Sequence, residues 1–252
     1  MPNRIAPPHR LLLWLEGRAL VELAAVVPAL PLLRRASRGD GHPVLVYPGL
    51  GASDFSTRTM RAFLRDRGYH VHGWKLGTNL GPTPERADAM VVRLRDLHAR
   101  HGRRVSLIGW SLGGIYAREL ARRHPELVRQ VITLATPFRD VDAVNIPRFL
   151  RRGAESRPLP NQEALRAALA APLSVPSTAL YSRSDGIVAW QSCREEDGPE
   201  RESIEIMSSH LGIGHHPVAL LTIADRLAQP EGAWRPFRPP AGWRWPLIPR
   251  LA

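Results

Sequence analysis

Cysteine occurs once in the 252 residues, at Cys193, and lysine once, at Lys75. A lone cysteine excludes an internal disulfide and a cysteine-ligated metal site. With one lysine, the formal net charge of +12 is carried almost wholly by arginine. A basic balance of this size points to anionic partners, either phospholipid headgroups or nucleic acid. The arginines, however, are scattered as pairs (Arg34-Arg35, Arg103-Arg104, Arg122-Arg123, Arg151-Arg152), and no nucleic-acid motif accompanies them. That pattern reads as compositional bias and argues against nucleic acid as a partner. Internal repeats are lacking too.

A long uninterrupted apolar run is also missing. Residues 11–33 are rich in Leu, Val and Ala, but Glu16, Arg18 and Glu22 break the run and no Ala-x-Ala follows. A signal peptide needs both a continuous apolar stretch and a small-residue cleavage site. A spanning helix needs about 20 mostly uncharged residues, and Pro28 and Pro31 argue further against one. What remains is a helix over 11–27, apolar around most of its circumference, with Arg18 and Glu22 spaced to pair at i and i+4. Such a helix needs burial somewhere. Two readings stand side by side: it packs on the body of the domain, or it lies on a membrane surface.

The rest of the chain is organised around Val105-Ser106-Leu107-Ile108-Gly109-Trp110-Ser111-Leu112-Gly113-Gly114. An apolar, β-branched run enters Gly-x-Ser-x-Gly, and 115–124 follows with helical spacing of Ile115, Leu120 and Ala121. A strand turning sharply into a helix with serine at the turn is the nucleophile elbow. Gly109 and Gly113 stand where a Cβ would strike the neighbouring strand or helix. Ser111 then sits at a helix N-terminus, where free N–H groups favour developing negative charge.

Apolar runs mark six strands, over 44–47, 69–76, 105–110, 128–135, 177–181 and 203–207. Helices are expected over 54–67, 85–101, 162–171 and 217–227. The first takes Ser53 or Asp54 as N-cap, turns Phe55, Met60, Phe63 and Leu64 inward and ends at Gly68. The second places Met90, Val91, Leu94 and Leu97 on one face. The last opens on Pro217. From 138 to 175 the pattern is irregular and proline-rich, as a lid would be. Strands alternating with helices imply a mostly parallel sheet of about six strands with right-handed crossovers. Ligands bind beyond the carboxyl ends of such strands.

A serine hydroxyl needs a base, and the base needs a carboxylate to orient it. On the elbow fold the chain order is serine, acid, histidine. His210 follows the last strand directly and is the preferred base. His215 is its main rival, and His216, before Pro217, reads as a helix-start residue. Asp185 ends the preceding strand in an Asp-Gly turn and is the preferred acid, with Asp140 and Asp142 as alternatives. Two backbone N–H donors should form an oxyanion hole: Leu112, just after the serine, and Leu50, in the loop Pro48-Gly49-Leu50-Gly51.

Four motifs in order, Val44-Leu45-Val46-Tyr47-Pro48-Gly49, Gly109-Trp110-Ser111-Leu112-Gly113-Gly114, Tyr181-Ser182-Arg183-Ser184-Asp185-Gly186-Ile187-Val188 and Ser209-His210-Leu211-Gly212-Ile213, resemble the α/β-hydrolase superfamily. The nearest likeness is to bacterial lipase/esterase-like hydrolases, near the glycosylphosphatidylinositol-inositol deacylases, and covers about residues 40–230. It implies an α/β-hydrolase fold with a small lid, and ester hydrolysis by a serine triad without metal or organic cofactor. Many lipases carry His-Gly in the oxyanion loop where this chain has Pro48-Gly49, which weakens the case for triacylglycerol.

The expected layout is an apolar helical arm over 1–40, a catalytic domain over 41–230 with its lid at 138–175, and a Trp/Arg/Pro-rich tail over 231–252. The tail carries Trp234, Phe237, Trp243 and Trp245 without periodicity, as a packed segment or an interfacial anchor would. The expected activity is cleavage of an acyl ester with an apolar acyl chain. A thioesterase, amidase or acyltransferase using the same triad, or a non-catalytic membrane-binding module, are the alternatives. A cytoplasmic location is expected, with peripheral membrane contact left open by the two ends.

Overall fold

A computed structural model describes residues 4–146 and 162–239. The centre of the expected lid, and Trp243 and Trp245 of the tail, lie outside the described residues.

Six strands form one sheet: β1 (Pro43–Tyr47), β2 (His70–Gly73), β3 (Val105–Trp110), β4 (Val128–Leu134), β5 (Ser177–Tyr181) and β6 (Arg201–Glu205). Their order is β2-β1-β3-β4-β5-β6, and every neighbouring pair is parallel. The helices, in chain order, are a 3-10 helix (Arg10–Arg18), α1 (Ala19–Ala24), α2 (Val26–Leu33), α3 (Arg58–Asp66), α4 (Pro84–His101), α5 (Leu112–Arg123), α6 (Gln162–Ala170) and α7 (Pro217–Leu227).

Period-two alternation divides the strand side chains between two cores. Val44, Val46, Ile108 and Ile132 pack with Met60 and Leu64 of α3, Leu33 of α2 and the apolar face of α7. Leu45, Tyr47, Leu107 and Val131 pack with Met90, Leu94 and Leu97 of α4 and Leu120 of α5. The central strands β1, β3, β4 and β5 are buried along their whole length, as parallel strands covered on both faces must be.

Three expectations are corrected. The strand over 69–76 shrinks to His70–Gly73, because the Asp54 carboxylate takes the Trp74 and Lys75 N–H groups (3.0 and 3.1 Å) away from the sheet. The same diversion leaves the helix expected from 54 to begin at Arg58, and Phe55 lies exposed under the Arg58 guanidinium rather than inward. The single helix over 11–27 is three pieces that run on to Leu33 through Pro28 and Pro31. Pro28 falls in the first turn of α2, where its missing N–H costs nothing.

Registers set Tyr47 beside Gly109, Trp110 beside Leu134, Leu134 beside Leu180 and Tyr181 beside Glu205. The residues that follow each, from Pro48 to Ile206, therefore leave the sheet at one level, its carboxyl edge. Among the described residues no helix is long and apolar enough to cross a membrane.

Candidate active site

Ser111 closes β3 and opens α5 in a left-handed conformation, φ 53° and ψ −122°. A β-carbon residue held there is strained, and the surroundings must impose it. They do: Ser111 N–H donates to Leu134 O (2.8 Å) and Gly114 N–H returns to Ser111 O (2.9 Å). A Cβ on Gly109 would stand 2.3 Å from Gly114 Cα, and one on Gly113 2.4 Å from Tyr47 O. Glycine at both positions is what lets α5 start so close to β1 and β3.

Gly49 brings the loop after β1 against the serine; a Cβ there would meet Ser111 Cβ at 3.3 Å. The shape of this loop comes from Asn79, a residue outside every motif of the sequence. Asn79 is fully buried, accepts Gly51 N–H (2.7 Å), donates its own N–H to Ala52 O (2.8 Å) and its amide to Pro48 O (2.9 Å). Tyr116 Oη of α5 donates to Asn79 Oδ1 (3.1 Å). Asn79 thus ties the loop holding Leu50 to the helix beginning at Leu112. Its only sequence signal is an asparagine in a Gly/Pro loop after a strand. Leu112 N–H, first in α5, has no carbonyl within its helix to bond.

Asp185 and His210 are both buried. Asp185 Oδ2 lies 2.8 Å from His210 Nδ1, and Asp185 Oδ1 accepts Ile187 N–H and Val188 N–H, each at 2.8 Å. Trp110, the residue before the serine, donates its indole N–H to His210 O (3.0 Å). Burial alone would push the His210 imidazole down, but the Asp185 carboxylate, with Glu16 nearby, lifts its pKa above the ordinary 6.5.

The alternatives are otherwise engaged. His215 Nε2 lies 3.0 Å from Ala19 O, and its ring meets the edge of Trp110. His216 caps α7, accepting Val218 N–H (3.3 Å), and burial lowers its pKa. Asp140 accepts Ile5 N–H (3.2 Å), and Asp142 pairs with Arg166.

The charges that break the N-terminal run turn inward onto these loops. Glu16, buried, accepts Gly186 N–H (2.8 Å) and His210 N–H (3.0 Å) on one oxygen and Leu211 N–H (3.0 Å) on the other. Glu22, also buried, accepts Ser209 N–H (2.9 Å) and the hydroxyls of Ser208 and Ser209 (3.0 and 2.7 Å). Arg18 bonds Glu22 (3.1 Å) and Ser184 O (3.1 Å). Unpaired buried N–H groups are costly, and here two carboxylates satisfy four of them.

Beside Ser111 opens a cavity of 210 Å³, lined among others by Leu50, Leu112, Ile115, Val144 and Val188. The lining is mainly apolar and Ser111 is at its wall.

No protein-family model matches the chain. It is 46% identical over 50 residues to a biotin biosynthesis bifunctional protein of Teredinibacter turnerae, a stretch that is 20% of this chain and only 7% of that protein. Over 77% of this chain and 95% of the relative it is 23% identical to a pimeloyl-(acyl-carrier protein) methyl ester esterase of Aliivibrio salmonicida. The solved structure of Aspergillus fumigatus lipase B superposes with a TM-score of 0.55 at 17% identity, covering 77% of this chain and 54% of that one. Together with the all-parallel six-stranded sheet and the turn at Ser111, these likenesses show that the chain has the α/β-hydrolase fold.

Proposed function

We propose that the protein is a serine hydrolase that cleaves a carboxylic ester with an apolar acyl chain. The observation that carries this reading is the buried Asp185–His210 contact, whose backbone is bonded to Trp110 beside the strained Ser111. Ser111 Oγ attacks the ester carbonyl while His210 Nε2 takes its proton. Asp185 fixes the tautomer, with the Nδ1 proton towards its carboxylate, and stabilises the imidazolium. Leu50 and Leu112 N–H groups receive the carbonyl oxygen as it becomes negative. Collapse expels the alcohol, which takes the proton from His210, and water then releases the acid by the same steps in reverse.

The apolar cavity beside Ser111 supports an acyl chain as the bound portion. The matched relatives are named as esterases and lipases, which supports the ester as the bond cleaved. Within that class the likeness to the Aliivibrio salmonicida methyl ester esterase supports a place among bacterial esterase-like hydrolases.

The test is a series of p-nitrophenyl esters of increasing acyl length, run with Ser111→Ala alongside. The unmodified chain should hydrolyse them and react with a fluorophosphonate probe; Ser111→Ala should do neither while melting at the same temperature. Equal labelling of both proteins would overturn the assignment of Ser111.

A further inference from the structure

The N-terminal arm, residues 4–36, is built inside out. Its only carboxylates, Glu16 and Glu22, are buried against the loops that carry Asp185 and His210. Many of its large apolar side chains nonetheless face away from the protein: Trp14 is 85% exposed, Leu20 77%, Val21 70%, Val27 68% and Leu11 67%, while Leu33 is in the core with Val26 and Leu32 packed against it. An amphipathic helix normally buries the apolar side. Here the polar side is committed to fixed partners by six hydrogen bonds that Glu16 and Glu22 accept, so the arm cannot roll over to hide the other.

Charge says what meets the exposed side. Arg4 and Arg10 stand at one end of the stripe and Arg34 and Arg35 at the other, all exposed and without a carboxylate partner among the described residues. The arm exposes no acid. An apolar stripe with a tryptophan and arginines at both ends has the chemistry of a helix lying at the headgroup level of an anionic bilayer. Further apolar side chains are exposed on carboxyl-edge loops. Phe55, Leu80, Met207 and Leu211 are exposed on the loops that follow β1, β2 and β6.

We infer that the outward face of the N-terminal arm docks this protein on an anionic phospholipid surface. The inference does not rest on chemistry at Ser111, so its fate is separable from that of the proposed activity.

The test is co-sedimentation of the full chain with vesicles of equimolar phosphatidylglycerol and phosphatidylcholine, and with phosphatidylcholine alone. The unmodified chain and Ser111→Ala should pellet equally with the mixed vesicles, and high salt should weaken but not erase the binding. Trp14→Ser with Leu20→Ser should weaken binding about tenfold or more, two apolar insertions being lost. Hydrolysis of a soluble ester by this variant should be unchanged, which reports that it is folded. Arg34→Gln with Arg35→Gln should remove much of the salt-sensitive part. The inference fails if the unmodified chain stays in the supernatant at low salt, if the Trp14/Leu20 variant pellets as well as the unmodified chain, or if phosphatidylcholine alone binds as strongly. It also fails if light scattering shows a dimer that the Trp14/Leu20 variant dissolves, because the face then joins two copies of this chain.

Discussion

The two carboxylate oxygens of Asp185 act separately, one facing His210 while the other holds the turn through Ile187 and Val188. Asp185→Asn keeps the turn but puts an amide where the imidazole needs an acceptor. It should lower kcat by about 10⁴-fold. Because His210 is lifted above 6.5, the acid limb of kcat/KM should lie above that value, where the base loses its proton. In Asp185→Asn, burial is opposed by Glu16 alone and the limb should move to lower pH. A pH–rate profile of both proteins reads the difference. Asn79→Ala leaves the chemistry intact but loosens the loop holding Leu50, and should cost up to about 100-fold in kcat with little change in KM. Asp185 and His210 are legible in the sequence because each stands in the loop after a strand, beyond β5 (ending at Tyr181) and β6 (ending at Glu205), and in the required chain order. Asn79 is not: its partners are backbone groups at 48, 51 and 52, and no periodicity marks a residue that bonds to main chain.

At the scale of elements, the helix after the elbow is fastened sideways as well as at its start. Arg118 of α5 is fully buried, pairs with buried Glu195, donates to Ala171 O (3.1 Å) and lies 3.8 Å over the Phe138 ring. Arg118→Ala strands the Glu195 charge, and should cost about 3–5 kcal/mol of stability, read as a fall in Tm. The arm fastens the loops after β5 and β6. In Glu16→Gln an amide group must face either the N–H of Leu211 or those of Gly186 and His210, donor against donor. A loss of about 1–3 kcal/mol follows, read as a fall in Tm. Strand and helix positions are readable because hydrophobic period reports burial on a near neighbour. The orientation of the arm is not, because it depends on N–H groups at 186 and 209–211, far along the chain. The tail shows the same limit. Its apparent lack of pattern conceals Phe237, buried in the core beside α7 with its N–H on Glu202 (2.8 Å).

For the whole molecule, acid is the expected weakness. Burial pushes His42 down to about 4, and His72, half-buried near His101, likewise to about 4. The folded state refuses protons that the unfolded chain accepts from 6.5 downwards. Stability from these groups is therefore fully present above 6.5 and drains away as pH falls towards 4. His42, held between Asp40 and Ser106, accounts for about 3 kcal/mol of it. His210, shifted upward, acts in the opposite sense over its own range. Thermal melts at pH 7.5 and 4.5 should differ by roughly 6–12 °C, and the difference should shrink in His42→Gln. The Glu16 contacts also carry a consequence for biosynthesis. Glu16 leaves the ribosome well ahead of its partners, the last of which is Leu211. At about 5–20 residues per second the arm waits roughly 10–40 s for them. A nascent chain can therefore expose a finished elbow at Ser111 well before Asp185 and His210 are fastened, and the proposed hydrolysis should begin only after Leu211 has emerged.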